Sequence, residues 1–196
     1  MPNFNQIRAI LSQKTIGIAG AGGLGSNCAA SLIRSGVGKL IIADFDTVSD
    51  ANLNRQFYFH DQIGEIKVNA LRENLLRINP FASLQMHAVK VAPDNIDFLF
   101  STCDVIVEAF DAASEKEMLI NYILTNYPEK PLVAASGLAG WGSAESLRII
   151  QSGNLYVCGD GEREAGETDP PLAPRVNIVS NLQADKVLEI LLKYRF

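Results

Sequence analysis

The chain has 196 residues, 47% hydrophobic and 20% charged, with a formal net charge of −5; that size fits one domain spanning 1–196, since domains usually run to about 100–200 residues. The acidic balance leaves no electrostatic case for a nucleic-acid partner, no apolar run reaches the ~18–20 residues of a membrane span, and the opening MPNFNQIRAILSQK lacks a signal-peptide layout. Three cysteines (Cys28, Cys103, Cys158) stand far apart with no C-x-x-C pair, against a disulfide scaffold or a four-cysteine zinc site and in keeping with reduced cytoplasmic thiols.

In chain order, TIGIA (residues 15–19) is short and β-branched and reads as a buried strand. Glycines at 20–25 break it, and residues 27–38 form a helix stopped by glycine. KLIIAD (39–44) is a second buried strand. Residues 44–63 show no clear period and read as an ordered functional loop. Residues 64–80 form an amphipathic helix, with Val68, Leu71, Leu75 and Ile78 on one face and Pro80 at its end.

A strand at 83–89, a helical turn at 93–100 and the strand DVIVEAF (104–110) follow. The next helix, 114–126, opens with Ser114 and Glu117 in capping-box spacing. PLVAAS (131–136) is another buried strand, and 147–151 with 154–157 make a hairpin about Ser152-Gly153. Residues 159–174, rich in Gly, Pro and acids, read as a mobile loop before a last helix over 176–193. Fully apolar strands alternating with helices give an α/β protein: a doubly wound, mainly parallel, Rossmann-like sheet.

Gly20-Ala21-Gly22-Gly23-Leu24-Gly25 satisfies G-x-G-x-x-G between a strand and a helix. Glycines permit the tight turn and let amides approach phosphates, and the helix N-terminus favours negative charge. Asp44, at the end of the second strand, is placed to hold ribose hydroxyls. NAD is the default nucleotide for this fingerprint, although a dehydrogenase usually needs a second, substrate-binding region.

At GAGGLGSN, DFDTVSDANLNRQF and GEIKVNALRENLLRINP the sequence resembles the ThiF/MoeB/HesA family, bacterial relatives of ubiquitin-activating enzymes. The likeness runs from about Thr15 to the C-terminus and is weaker after Asp111. The short length and the segment YVCGDGEREAG…PLAPRV are similar to compact ThiF-like proteins linked to thiamine biosynthesis. The resemblance implies ATP- and magnesium-dependent adenylation of the C-terminal glycine of a ThiS-like sulfur carrier protein, by a homodimer; the composition points to the cytoplasm. It implies that Arg55 and Lys67 meet the phosphates, that Asp111 helps hold magnesium, and that Asp44 takes the ribose. It also implies that Gly20, Gly22, Gly23 and Gly25 cradle the nucleotide, with Asp46, Asn52 and Asn54 shaping its pocket. Taken singly, Arg55 and Lys67 are ordinary solvated side chains, Asp46 a turn cap and Asp111 a helix cap. Jointly and in this order they favour the site.

The sequence departs from the family in four places. The two zinc-binding C-x-x-C pairs of many relatives are missing, so zinc is not expected. Thr168-Asp169-Pro170-Pro171 holds no cysteine for covalent sulfur chemistry, and Cys158 reads as a packing residue. Arg8 matches poorly the arginine that partner subunits contribute, and Ala112 replaces an asparagine near the nucleotide. Three alternatives stay open: an NAD-dependent oxidoreductase, a non-catalytic carrier-binding module, or a member activating a molybdopterin-pathway carrier or a tRNA base.

Overall fold

A computed structural model describes residues 3–163, 165, 166 and 168–192. Its centre is a seven-stranded sheet: β1 (Thr15–Ala19), β2 (Lys39–Ala43), β3 (Ser83–His87), β4 (Val105–Glu108), β5 (Leu132–Ala135), β6 (Arg148–Ser152) and β7 (Leu155–Gly159). The spatial order is β3-β2-β1-β4-β5-β7-β6, and every neighbouring pair is parallel except the β6–β7 hairpin. The chain winds outward from β1 to β3, then returns to lay β4 on the other side of β1. Both β1 and β4 are buried along almost their whole length, as apolar β-branched runs with helices on both faces must be. The crevice above their carboxyl ends is the switch point where ligands of such sheets sit.

Helices α1 (Phe4–Leu11), α2 (Gly23–Ser35), α3 (Lys67–Ile78) and α6 (Ala173–Leu192) cover one face around Ile16, Ile18, Leu32, Leu40, Leu71 and Val187. On the other face, α4 (Ile96–Phe100) and α5 (Ala113–Asn126) pack Leu99, Phe100, Leu119 and Ile123 against Ile41, Ile106 and Leu132. Among the described residues no helix is long and apolar enough to cross a membrane.

Several boundaries differ from the sequence-based expectations, each for a local reason. Helix α1 was not anticipated; the amide of Gln6 donates to Asn3 Oδ1 at 3.0 Å and that of Asn3 to Gln6 Oε1 at 2.9 Å, a complete capping box. Helix α2 begins at Gly23 rather than 27, because the later glycines of the fingerprint are already helical, and Gly36 ends it in the left-handed region at φ 101°. Helix α3 starts at Lys67 rather than 64, since residues 64–66 are bonded to Val48 and Thr47 instead. The expected Ser114–Glu117 cap is not made: Ala112 is the N-cap of α5, and its side chain accepts no bond from the helical amides. The expectation of a mobile loop at 159–174 partly lies outside the described residues, which omit 164 and 167. At its start Asp160 is buried and ion-paired to Arg175.

Candidate functional site

Gly20 and Gly25 make the first turn possible. Gly20 has φ 102°, and a Cβ on Gly25 would lie 1.9 Å from the carbonyl oxygen of Gly20. The turn leads directly into α2, whose N-cap Gly22 offers no side chain to the first helical amides. Those amides and the positive end of the helix dipole therefore face the crevice uncapped, a ready anion site.

The loop after β2 is sewn onto this turn. Ser26 Oγ accepts the Phe57 amide at 3.0 Å and donates to the Gly22 carbonyl at 2.6 Å. Asn27 Nδ2 donates to the carbonyls of Arg55 at 2.8 Å and Gly23 at 2.7 Å. The buried Tyr58 hydroxyl donates to the Ala21 carbonyl at 2.7 Å. Burial, then the carboxylates of Asp44 and Asp46, push that phenol well above its ordinary range, so it stays a donor. Two turns of 3-10 helix, Asp50–Asn52 and His60–Gln62, stiffen the loop. Asn52 accepts the Ser49 amide at 3.0 Å, and Asn54 Oδ1 accepts from Arg55 Nη1 at 2.7 Å.

A cavity of about 640 Å³ opens above the switch point. Gly20, Gly22, Gly23, Asp44, Asp46, Arg55, Lys67 and Asp111 all line it, whereas Gly25, Asn52 and Asn54 do not. The Asp44 carboxylate accepts the amides of Ala21 at 2.6 Å and Asp46 at 2.8 Å, one on each oxygen. About half of its four lone-pair sites stay open for hydroxyl donors. Lys67 is 6% exposed and bonds Asp46 Oδ2 at 2.8 Å. Arg55 Nη1 donates only to the neutral oxygens of Ala51 and Asn54. Asp111 is exposed at the cavity edge, between β4 and α5.

Other functional candidates were not legible in advance. Lys116, on the cavity wall, bonds Glu108 at 2.9 Å. Burial pushes the Glu108 carboxyl up, against the pull of Lys116 and of the Phe110 amide. Lys90 bonds Glu115 at 2.9 Å and lies over the Phe45 ring. Gln56 also lines the cavity, and its Oε1 is buried without a hydrogen-bond partner. Nothing in local periodicity singles these residues out, because their partners come from other elements.

The cysteines are packing residues in this structure. Cys28 and Cys158 are fully buried and Cys103 nearly so. Burial raises all three thiols, Cys103 and Cys158 to about 12, and a thiol kept protonated is a poor nucleophile. Native protein should accordingly resist alkylation by iodoacetamide and take up label only on unfolding. Fast labelling of Cys158 in folded protein, located by peptide mass spectrometry, would reopen a covalent role for it.

Among the described residues no cluster of three or more His, Cys, Asp or Glu stands ready to hold a metal. Magnesium does not demand one: it keeps several waters and usually takes one or two carboxylates together with substrate phosphates. Asp111, on the wall of the same cavity as the uncapped end of α2, fits that pattern as a single protein ligand.

The sheet order, the glycine turn and the cavity at the switch point define a Rossmann-like α/β protein. The chain belongs to the ThiF family, which it matches over residues 5–195. Ubiquitin-like modifier-activating enzyme 5 of Drosophila pseudoobscura pseudoobscura is 32% identical over 180 residues, covering 90% of this chain and 44% of that protein. The adenylyltransferase and sulfurtransferase UBA4 of Eremothecium gossypii is 30% identical over 182 residues, 89% of this chain and 40% of that one. The chain thus spans less than half the length of these curated relatives. Its fold is shared with E. coli tRNA N6-threonylcarbamoyladenosine dehydratase, TcdA, solved with ATP: TM-score 0.85, 22% identity, 96% of this chain and 89% of that chain.

Proposed function

We propose that this chain adenylates the C-terminal glycine carboxylate of a ubiquitin-like sulfur carrier of the ThiS type, in thiamine biosynthesis, acting as a cytoplasmic homodimer. The observation that carries the reading is one cavity holding the uncapped N-terminus of α2 together with Arg55, Lys67, Asp44 and Asp111. The family membership and the names of the relatives support adenylation of such a modifier. Carrier identity, magnesium and the homodimer rest on the resemblance described above.

In this reading Asp44 holds the ribose through its free lone pairs, and the amides at Gly22 and Gly23 meet the phosphates. Arg55 spans two phosphate oxygens with its planar fork. Lys67 adds positive charge from a site held by Asp46. Asp111 would hold magnesium together with the phosphates, where the ion would supply neutralisation of the charge on the leaving group. A carrier carboxylate oxygen bonds to the α-phosphorus, the bond from that phosphorus to the β-bridging oxygen breaks, and pyrophosphate leaves with the electron pair. The chain's own work is positioning and charge stabilisation, with no nucleophile from the protein.

The test is mass spectrometry of purified candidate carriers after incubation with ATP, magnesium and this protein. A gain of one AMP on a ThiS-like carrier is the expected result. No gain on any ubiquitin-like carrier, with saturable NADH binding in its place, would turn the reading toward a dehydrogenase.

A further inference from the structure

Arg163 enters the cavity opposite Asp44, and the nucleotide scheme leaves it unused. It follows β7, whereas Asp44 follows β2. Four strand spacings separate those strands, about 19 Å at ~4.8 Å each. The wall beside Arg163 is formed by Ser136, Gly137 and Leu138, which follow β5, and by Pro171. A ribose held by Asp44, with its phosphates running toward α2 and β4, leaves this end of the cavity for a second substrate.

Arg163 is held in place. Its amide and that of Glu162 donate to Asp160 Oδ1 at 3.0 and 2.8 Å. Asp160 is in turn fixed by its ion pair with the buried Arg175. Gly137 lets the two segments meet, since with φ 74° any Cβ there would fall 1.9 Å from Asp160 Oδ1. The guanidinium donates from Nη1 to the Trp141 carbonyl at 3.1 Å and from Nη2 to Ser143 Oγ at 3.3 Å. A guanidinium carries two N–H groups on each Nη, so among the described residues one on each nitrogen has no partner.

Its electrostatic setting also differs from that of the cavity lysines. Lys67, Lys90 and Lys116 each have a carboxylate oxygen within 2.8–2.9 Å. Among the described residues, the acid within ion-pair distance of Arg163 is Asp160, 3.9 Å from Nε and already bonded to Arg175. A fixed guanidinium with open donors on both terminal nitrogens matches a carboxylate, which takes two parallel N–H···O bonds.

We propose that Arg163 receives the terminal main-chain carboxylate of the second substrate, the end of an extended protein tail, and holds it for attack on the α-phosphorus. The proposal rests on the adenylation reading above, and it gives a substrate-binding role to a residue outside the glycine, arginine and lysine motifs. Because Arg163 bonds the backbone of the chain's single tryptophan, Trp141 emission reports on its occupancy.

The experiment titrates the full chain, with a non-hydrolysable ATP analogue present, using a synthetic peptide ending in Gly-Gly as the free acid or as the C-terminal amide. The free acid should shift the emission saturably and bind at least about tenfold more tightly than the amide, as expected for hydrogen bonds to a charged group. Arg163→Gln should bring the acid down to the amide's affinity, and Arg163→Lys should restore part of it. Both variants should keep the wild-type Tm and the wild-type ATP affinity in equilibrium dialysis. Equal binding of acid and amide, no saturable response to the acid, or an Arg163→Gln variant that loses ATP rather than the acid would overturn the proposal. Failure of wild type to bind ATP would sink the adenylation reading instead, and the acid–amide comparison would still judge Arg163.

Discussion

Arg55→Ala should lower carrier-dependent pyrophosphate–ATP exchange by about 10²–10³-fold, the usual cost of removing one preorganised donor from developing charge. Among the described residues, no carboxylate lies within ion-pair distance of Arg55; its guanidinium bonds only the Ala51 carbonyl and the Asn54 amide oxygen. Its full charge is therefore available to a triphosphate, whereas the charge of Lys67 is offset by Asp46 at 2.8 Å. Arg55→Lys keeps the charge but loses the fork, and should fall between wild type and Arg55→Ala. The side chain is half-buried in a loop outside both hydrophobic clusters, so stability should change by no more than about 0.5 kcal/mol. Exchange at the wild-type rate in Arg55→Ala, with folding intact, would remove the arginine from the mechanism.

The sheet was readable because its inner strands carry their signal locally. TIGIA, KLIIA, VIVE and LVAA are short apolar runs, each buried at four positions, and the glycine-rich turn interrupts them at a fixed place. Helix ends were less readable, because they depend on which partner wins. Ser114 has the right spacing for a cap, yet the helix starts a residue earlier from Ala112. Asn3 and Gln6 do form a box, at the start of a helix of only eight residues whose amphipathic pattern, Phe4, Ile7 and Leu11, went unread.

Within the site, Asp44, Arg55, Lys67 and Asp111 share one cavity although up to 67 residues separate them in sequence, from Asp44 to Asp111. The family motifs carry those four. They do not carry what holds them: Tyr58 reaching the Ala21 carbonyl or Glu108 under Lys116; and although Ser26 and Asn27 stand in GAGGLGSN, the motif does not show that they tie the arginine loop to α2. Such bonds join residues from different elements and leave no periodic trace. The Asp160–Arg175 pair is the extreme case, since an acidic, glycine-rich stretch looks like a solvated loop until its aspartate is found buried.

That pair supplies the largest stability effect expected in the chain. Arg175 is 2% exposed and Asp160 6%. Arg175 bonds Asp160 through Nη2 and the Gly142 carbonyl through Nη1 at 2.7 Å, joining residues 142–143, the end of β7 and the start of α6. Arg175→Met removes one partner of a buried ion pair, which typically costs about 3–5 kcal/mol because the remaining charge stays buried. Against a total of about 5–15 kcal/mol for a domain, urea unfolding should show a large fall in midpoint. Adding Asp160→Asn should recover about 1 kcal/mol or more, since a neutral amide is cheaper to bury than a lone carboxylate. The pH dependence follows from the same contacts. Burial pushes the Asp160 carboxyl up, but the amides of Arg163 and Glu162 and the two guanidiniums outweigh it and hold the group below its ordinary value. A depressed carboxyl stabilises the fold above the unfolded-state pKa of about 3.9, and that contribution is lost as pH falls through the lower folded-state value. Wild type should therefore lose more stability than the Asp160→Asn, Arg175→Met double variant as pH drops below about 4. Parallel acid limbs for the two proteins, or a single Arg175→Met variant as stable as wild type, would show that this pair does not anchor the far wall of the cavity.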